Sequence, residues 1–198
     1  MNTASSTLPM GHLAPSPISR GRIGMACLIV AEVAIFTIFV VAYIFYYGKS
    51  LSGPTPRQVL ELPVVNTVCL LSSSVSISLA VRALGRDRRA LFGLWWFITI
   101  ALGSYFLLGT AREWQHLIQD EGLTIATNLF GTTFYSLVGL HASHVIVGLL
   151  ALVVVMLLAL RGTVTAEHVE RVEVLALYWH FVDVVWIVVF TLVYVIER

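Results

Sequence analysis

Charged side chains are scarce in this sequence. Of its 198 residues, 12 are Lys or Arg and 11 are Asp or Glu, so only 12% are charged, whereas about 25% is usual in soluble domains. Hydrophobic residues make up 58% of the chain. A soluble helical protein would scatter charges along every amphipathic helix, but here nearly all of them fall between long apolar runs. The composition therefore predicts a protein embedded in lipid.

Several other absences exclude whole classes of protein. The formal net charge of +1 leaves no basic arm for nucleic acid. Cys27 and Cys69 lie in separate apolar runs without a CxxC pair, which argues against a disulfide framework or a zinc knuckle and favours buried packing thiols. No HExxH and no repeated ExxH is present, so zinc-protease and di-iron patterns are missing. The lack of an internal repeat weakens an inverted-repeat transporter interpretation.

Five apolar stretches are long enough to cross a bilayer as helices, which takes about 20 residues each. No ten-residue alternation of apolar and polar side chains supports a transmembrane β-barrel instead. The sequence therefore predicts an all-α integral membrane protein, with a flexible tail over residues 1–19 and a five-helix transmembrane domain over residues 20–198. The expected spans are residues 23–47, 62–84, 91–111, 129–160 and 172–196.

The distribution of Lys and Arg predicts the orientation, because cytoplasmic segments of membrane proteins are enriched in them. If the five spans alternate, eight cationic residues fall on the side of the amino terminus and four on the other side. We therefore expect a cytoplasmic amino terminus and an external carboxyl terminus. The eight are Arg20, Arg22, Arg82, Arg86, Arg88, Arg89, Arg161 and Arg171; the four are Lys49, Arg57, Arg112 and Arg198.

A few ionisable side chains lie at membrane depth, where each costs about 2.5–3.5 kcal/mol on insertion scales. Counting along the helices at about 1.5 Å per residue puts Glu32, His180 and Asp183 at a shared depth, and His141 and His144 near the same layer. A spacing of three residues places His141 with His144, and His180 with Asp183, on common helix faces. The sequence thus predicts a buried polar layer.

Three interpretations of this layer stay open on the residues alone. The side chains could bond to one another and hold helices together, since an unpaired buried polar group is costly. They could instead hold a metal or haem, as imidazoles on facing helices do in bundles. They could also serve protonation or the binding of lipid headgroups. Glu32, placed among apolar neighbours, is expected to react with a lipid-soluble carbodiimide.

Two strings in the last two helices carry a family resemblance. Residues 178–186 spell YWHFVDVVW, and Phe134-Tyr135 precedes GLHASHVIVG at residues 139–148. In the first helix, Arg22, Gly24 and Met25 precede Glu32. Together these residues resemble subunit III of the haem-copper respiratory oxidases, in its short five-helix bacterial form.

The resemblance implies a subunit of a proton-pumping terminal oxidase, most simply a cytochrome c oxidase that reduces oxygen to water in the electron transport chain of the bacterial inner membrane. Such a subunit belongs to a translocating oxidoreductase but has no catalytic or metal-binding residues of its own. Its partners would be subunit I, subunit II and the other oxidase subunits, with haem and copper held by those partners.

The resemblance also implies a V-shaped cleft filled by structural phospholipid, near oxygen entry and the mouth of a proton-uptake path. Arg161 lies near a lipid-headgroup arginine of the family. The polar residues expected to line or support this region are Glu32, His168, Glu173, His180 and Asp183. In this interpretation the subunit supports the assembly and stability of subunit I, and its removal shortens the working lifetime of the oxidase.

Three alternatives follow from the same residues. The electron donor could be quinol, or the chain could accompany a nitric-oxide reductase, because donor-binding residues lie on other subunits. A small ion or solute transporter working through Glu32 and Asp183 is a further alternative, and it predicts transport by this chain alone.

Overall fold

The computed structural model describes residues 19–50, 53–54, 59–60 and 62–196, and within them it contains helices and no strands. Five helices are long and apolar enough to cross a membrane, which confirms the predicted fold class. They are α1 (Arg20–Tyr46), α2 (Val64–Gly85), α3 (Arg89–Gln119), α4 (Leu129–Leu160) and α5 (Val169–Phe190). A 3₁₀ turn, Ala166–His168, precedes α5, and a π-helical turn, Thr191–Val195, continues it. Residues 1–18 of the expected tail, and the orientation markers Arg57 and Arg198, lie outside the described residues.

Local chemistry explains where several helices begin. The Ser19 hydroxyl accepts a hydrogen bond from the Arg22 amide at 3.3 Å, and the Asn128 side chain accepts one from the Gly131 amide at 2.8 Å. These side chains satisfy amides that have no partner within the first turn of a helix. Pro63 stands directly before α2, where a missing amide hydrogen costs nothing.

The third helix is longer than the apolar run that predicted it. The expected span ends at residue 111, whereas α3 continues to Gln119. Its last eight residues are mostly polar or charged, but Arg, Glu and Gln are good helix formers. The helix therefore leaves the apolar layer without ending there.

The bundle is organised around α5, which packs against α1, α2 and α4. Helices α2 and α3 form an antiparallel hairpin joined by a short turn in which Asp87 has a positive φ of 53°. Helix α1 lies at the edge, touches α4 and α5, and turns most of its apolar side chains outward. Outward apolar side chains are stable in a bilayer, because lipid tails are as apolar as they are.

Three tryptophans fill the core and each donates its indole N–H to a neighbouring helix. Trp179 donates to the Ser73 hydroxyl at 2.8 Å, Trp186 to the Thr67 hydroxyl at 3.1 Å, and Trp96 to the Leu152 carbonyl at 2.9 Å. All three side chains are buried. Since an unpaired N–H in this environment is costly, these bonds help to fix which helix faces lie together.

Candidate functional site

The first polar cluster joins α5 to α2 inside the bundle. Asp183 is buried and accepts a hydrogen bond from the Ser74 hydroxyl. The same hydroxyl lies 2.9 Å from His180 Nδ1, and the Ser78 hydroxyl lies 3.3 Å from His180 Nε2. Ser78 also donates to the Ser74 carbonyl at 2.9 Å. Four side chains therefore form one continuous hydrogen-bonded chain.

The donors in this chain can be assigned, because each serine has one hydroxyl hydrogen. Ser78 gives its hydrogen to a carbonyl, so His180 Nε2 must donate to Ser78. If Ser74 donates to an ionised Asp183, then His180 Nδ1 must donate to Ser74 and the ring is an imidazolium. If Asp183 is protonated and donates to Ser74, the ring is neutral. In both arrangements every one of these bonds is made and the cluster has no net charge.

The second cluster joins α1 to α4. Glu32 Oε2 lies 2.9 Å from His144 Nε2, and the two side chains are 19% and 14% exposed. His144 Nδ1 donates to the Leu140 carbonyl at 2.8 Å, which leaves one proton to be held between Glu32 and Nε2. Phe36 packs on the imidazole at 5.0 Å, and the Tyr178 hydroxyl donates to the His144 carbonyl at 3.3 Å.

The third histidine of the predicted layer stands apart from both clusters. His141 is fully buried, with its ring 5.0 Å from that of Trp186 and 5.8 Å from that of Phe106. Neither ring nitrogen has a hydrogen-bond partner among the described residues. A spacing of three residues turns a side chain about 60° around the helix. That rotation sends His141 into the aromatic core, while His144 faces α1.

A crevice lies beside the first cluster, and residues of α1, α2 and the first half of α5 line it. Its lining includes Arg22, Ser78, Arg82, Ala176, Leu177 and His180, and we call it the α1–α2 crevice. The cavity has a volume of about 450 Å³, and an adjoining one of about 340 Å³ continues along α2 to Ser74. Arg22 pairs with Glu173 at 2.5 Å on its wall. His180 is therefore reached from the end of the bundle where α1 and α5 begin.

Two other predicted residues lie away from these clusters. His168 Nδ1 lies 2.9 Å from the Thr165 hydroxyl and belongs to the cap of the turn before α5. Arg161 follows the last residue of α4, is exposed, and is absent from the described lining of the α1–α2 crevice. The structure thus brings His180 together with Asp183, and Glu32 with His144, but does not unite all the candidates in one site.

Sequence reasoning gave Ser74, Ser78 and Arg82 no part in the polar layer. Serines in membrane helices usually serve as small residues that allow close helix packing. The spacing of four residues between Ser74 and Ser78, which matches one turn of helix, was the signal that both could face the same imidazole. Arg82 was counted only toward orientation.

No group of three or more His, Cys, Asp or Glu side chains capable of holding a metal ion occurs within the part of the chain that the structure describes. Apart from His141, the ionisable residues of the predicted layer bond to serine hydroxyls, to a backbone carbonyl and to each other. The fold and its polar clusters together define a multi-pass membrane protein in which two clusters of a carboxyl group and an imidazole join helices.

Comparison with known proteins gives the family. The family model for cytochrome c oxidase subunit III matches residues 10–197, and the chain belongs to that family. The resemblance seen in the sequence is thereby confirmed.

Three relatives, each named cytochrome c oxidase subunit 3, illustrate the range of similarity. The protein from Synechocystis is 41% identical over 177 residues, which are 87% of this chain and 74% of the relative. The protein from Alkalihalophilus pseudofirmus is 34% identical over 165 residues, or 82% and 80% of the two chains. The protein from Hippopotamus amphibius is 38% identical over an aligned length of 198, which covers 93% of this chain and 72% of the relative.

Proposed function

We propose that this chain is the non-redox subunit III of a proton-pumping haem-copper terminal oxidase that takes electrons from cytochrome c and reduces oxygen to water. The observation that carries the proposal is the family match, which spans all five helices. Subunit I, with subunit II, supplies the haems and copper. This chain resides in the bacterial inner membrane with its amino terminus in the cytoplasm.

The role within the complex is to support the assembly and stability of subunit I, together with its access to oxygen and its uptake of protons. The paired clusters favour such a supporting role. Glu32 bonds to His144, and Ser74 bridges Asp183 to His180, so both clusters tie helices of this chain to each other. A rigid bundle of this kind can brace a neighbouring subunit in the bilayer.

Structural phospholipid is the second part of the proposal. On the family resemblance, Arg161 at the end of α4 contacts a lipid headgroup in a V-shaped cleft. Its exposed position at the end of an apolar helix supports this, because basic groups at that depth meet lipid phosphates. The apolar outer faces of α1 and α4 would contact the acyl chains.

The decisive experiment is purification through an affinity tag on this chain, followed by an optical spectrum and mass spectrometry of the proteins that accompany it. We expect haem and copper subunits, and oxidation of reduced cytochrome c. A complex that oxidises only quinol would contradict cytochrome c as the electron donor. A complex that reduces nitric oxide would contradict the assignment to an oxygen-reducing oxidase. Isolation without any haem protein, with solute transport by the chain alone in vesicles, would support the transporter alternative.

The supporting role has its own test. An oxidase stripped of this subunit should still reduce oxygen at first but lose activity after fewer turnovers than the intact enzyme. Re-addition of the purified subunit should restore the lifetime, which separates its effect from damage done during stripping. An unchanged lifetime in the stripped enzyme would contradict the proposal.

A further inference from the structure

Trp114 and Tyr194 lie at the two ends of a row of aromatic rings, at the end of the bundle where α3 ends and α4 begins. The ring centre of Trp114 is 5.3 Å from that of Tyr135, which is 5.1 Å from that of Phe134. The Phe134 ring is in turn 6.5 Å from that of Tyr194, in the π-helical turn after α5. The rings therefore form a continuous path from a partly exposed tryptophan to a buried tyrosine.

Tryptophan and tyrosine are the aromatic side chains that lose one electron most readily, and the N–H or O–H of the oxidised ring then becomes far more acidic. Whether the radical stays on a ring depends on whether a base is bonded to that hydrogen. The Trp114 N–H is buried and has no hydrogen-bond partner among the described residues. The Tyr135 hydroxyl donates at 2.8 Å to the Leu123 carbonyl, which is a weak base. Neither ring is therefore bonded to a described group that would take its proton.

Tyr194 has the base that the other two rings lack. The residue is buried, and its hydroxyl donates to Glu113 Oε1 at 2.9 Å. A carboxylate that already accepts this hydrogen can take the proton as the electron leaves. Glu113 also lines a cavity of about 310 Å³ with Arg112 and His116, and a polar cavity of this size can hold water that carries the proton onward. The geometry therefore favours a radical on Tyr194 over one on the other rings.

We propose that Tyr194 is a redox-active tyrosine and that Trp114 passes oxidising equivalents to it. A small inorganic or oxygen-derived radical takes one electron from Trp114, and an electron from Tyr194 then returns to the indole through the two rings between them. The phenol proton moves to Glu113 in the same step. One electron is lost and one proton is moved, which leaves a neutral tyrosyl radical, a protonated Glu113 and the reduced oxidant. The inference rests on the proposed function in one respect, because a subunit beside a site of oxygen reduction meets such oxidants.

The test is pulse radiolysis of the full chain in detergent, with azide radicals as the oxidant because they attack tryptophan in preference to tyrosine. Absorption spectra follow the loss of the tryptophan radical and the appearance of the tyrosyl radical. We expect both to change at one rate that is independent of protein concentration, which identifies transfer within one molecule. Trp114→Phe should abolish this phase. The control is Trp95→Phe, which removes a partly exposed tryptophan near the other end of α3 and should leave the rate unchanged.

Two further variants identify the ring that is oxidised last and the base that takes its proton. Tyr194→Phe should abolish the concentration-independent phase, whereas Tyr105→Phe, which removes an exposed tyrosine outside the row, should retain it. Glu113→Gln keeps a hydrogen-bond acceptor but removes the base. It should slow the transfer by about 100-fold or more, the lower end of what a positioned proton acceptor usually contributes. Glu121→Gln, which changes an exposed carboxylate just after α3, is the matched control and should transfer at the unaltered rate.

Heavy water tests the coupled proton transfer on the unaltered chain, so this measurement does not depend on the folding of a variant. The transfer should be slower in heavy water, and an equal rate would overturn the proposal because no proton would then move with the electron. Transfer in Tyr194→Phe as fast as in Tyr105→Phe, or in Glu113→Gln as fast as in Glu121→Gln, would also overturn it.

The outcome is separate from that of the proposed function, because the chain is measured without haem subunits. Failure of the electron transfer would leave the assignment to an oxidase unchanged. Purification of the chain without any haem protein would contradict that assignment but leave the radical measurements valid.

Discussion

The ring of Trp179 lies against two glycines, which gives a sharp test of the packing. Ideal Cβ atoms added at Gly103 on α3 and at Gly148 on α4 would each lie 2.8 Å from carbons of this ring. Carbon atoms normally approach no closer than about 3.5–4.0 Å, so the ring would have to move by about 0.7 Å. Both contacts fall on the six-membered part of the ring, and its N–H is bonded to Ser73.

Gly148→Ala should therefore destabilise the folded chain. Overpacking a filled core costs about 1–3 kcal/mol, and the better helix propensity of alanine offsets up to about 1 kcal/mol of this. The expected net loss is about 1–2 kcal/mol. Gly93→Ala on α3 is the matched control, since nothing lies within 4 Å of its added Cβ. That variant should be neutral or up to about 1 kcal/mol more stable.

The measurement is unfolding of the purified chain in mixed micelles with increasing sodium dodecyl sulfate, followed by circular dichroism. Combining Gly103→Ala with Gly148→Ala should give a loss that differs from the sum of the single changes, because both methyl groups meet the same ring. The reasoning is refuted if Gly148→Ala unfolds at the same detergent fraction as Gly93→Ala.

Three further predictions concern the polar clusters and the orientation. Ser74→Ala removes the bridge between His180 and Asp183 and should cost about 1–3 kcal/mol for the buried groups left unpaired; exposed Ser72→Ala is the control, and equal stability of the two variants would contradict the bridge. A lipid-soluble carbodiimide should label Glu32, which is 19% exposed, in preference to buried Asp183. Mass spectrometry should find no label after Glu32→Gln, and predominant labelling of Asp183 would contradict this prediction. A phosphatase that is active only outside the cytoplasm should be active when fused to the carboxyl terminus, whereas activity of a cytoplasm-only reporter there would reverse the predicted orientation.

The number of helices could be predicted because few backbone structures are stable in lipid. A run of about 20 apolar residues must satisfy its own backbone in hydrocarbon, and a helix does so within one segment. The residue at which a helix ends depends on helix propensity as well as on hydrophobicity. Residue 111 ends the apolar run but not α3, because helix formation persists through the polar residues that follow as far as Gln119.

The depth of a side chain in the membrane could be counted along the sequence, but the residues that contact it could not be predicted in this way. Glu32 and His144 lie at similar depths by residue count, and the structure joins them. His141 has a similar depth too, yet it packs against Trp186, because its direction around α4 and the position of α5 decide its contacts. Which helix stands beside which depends on the packing of the whole bundle, and no local pattern in this sequence encodes it.

The two clusters contain the same kinds of titratable group but differ in their position relative to the α1–α2 crevice. Each contains one carboxyl group and one imidazole, and moving a proton between them leaves the hydrogen bonds made and the net charge at zero. The helix contacts are therefore insensitive to which group holds the proton. The His180 cluster adjoins the α1–α2 crevice, which is reached from the end of the bundle where α1 and α5 begin, whereas Glu32 lies between α1 and α4. Of the two clusters, the one at His180 should therefore exchange protons with water first.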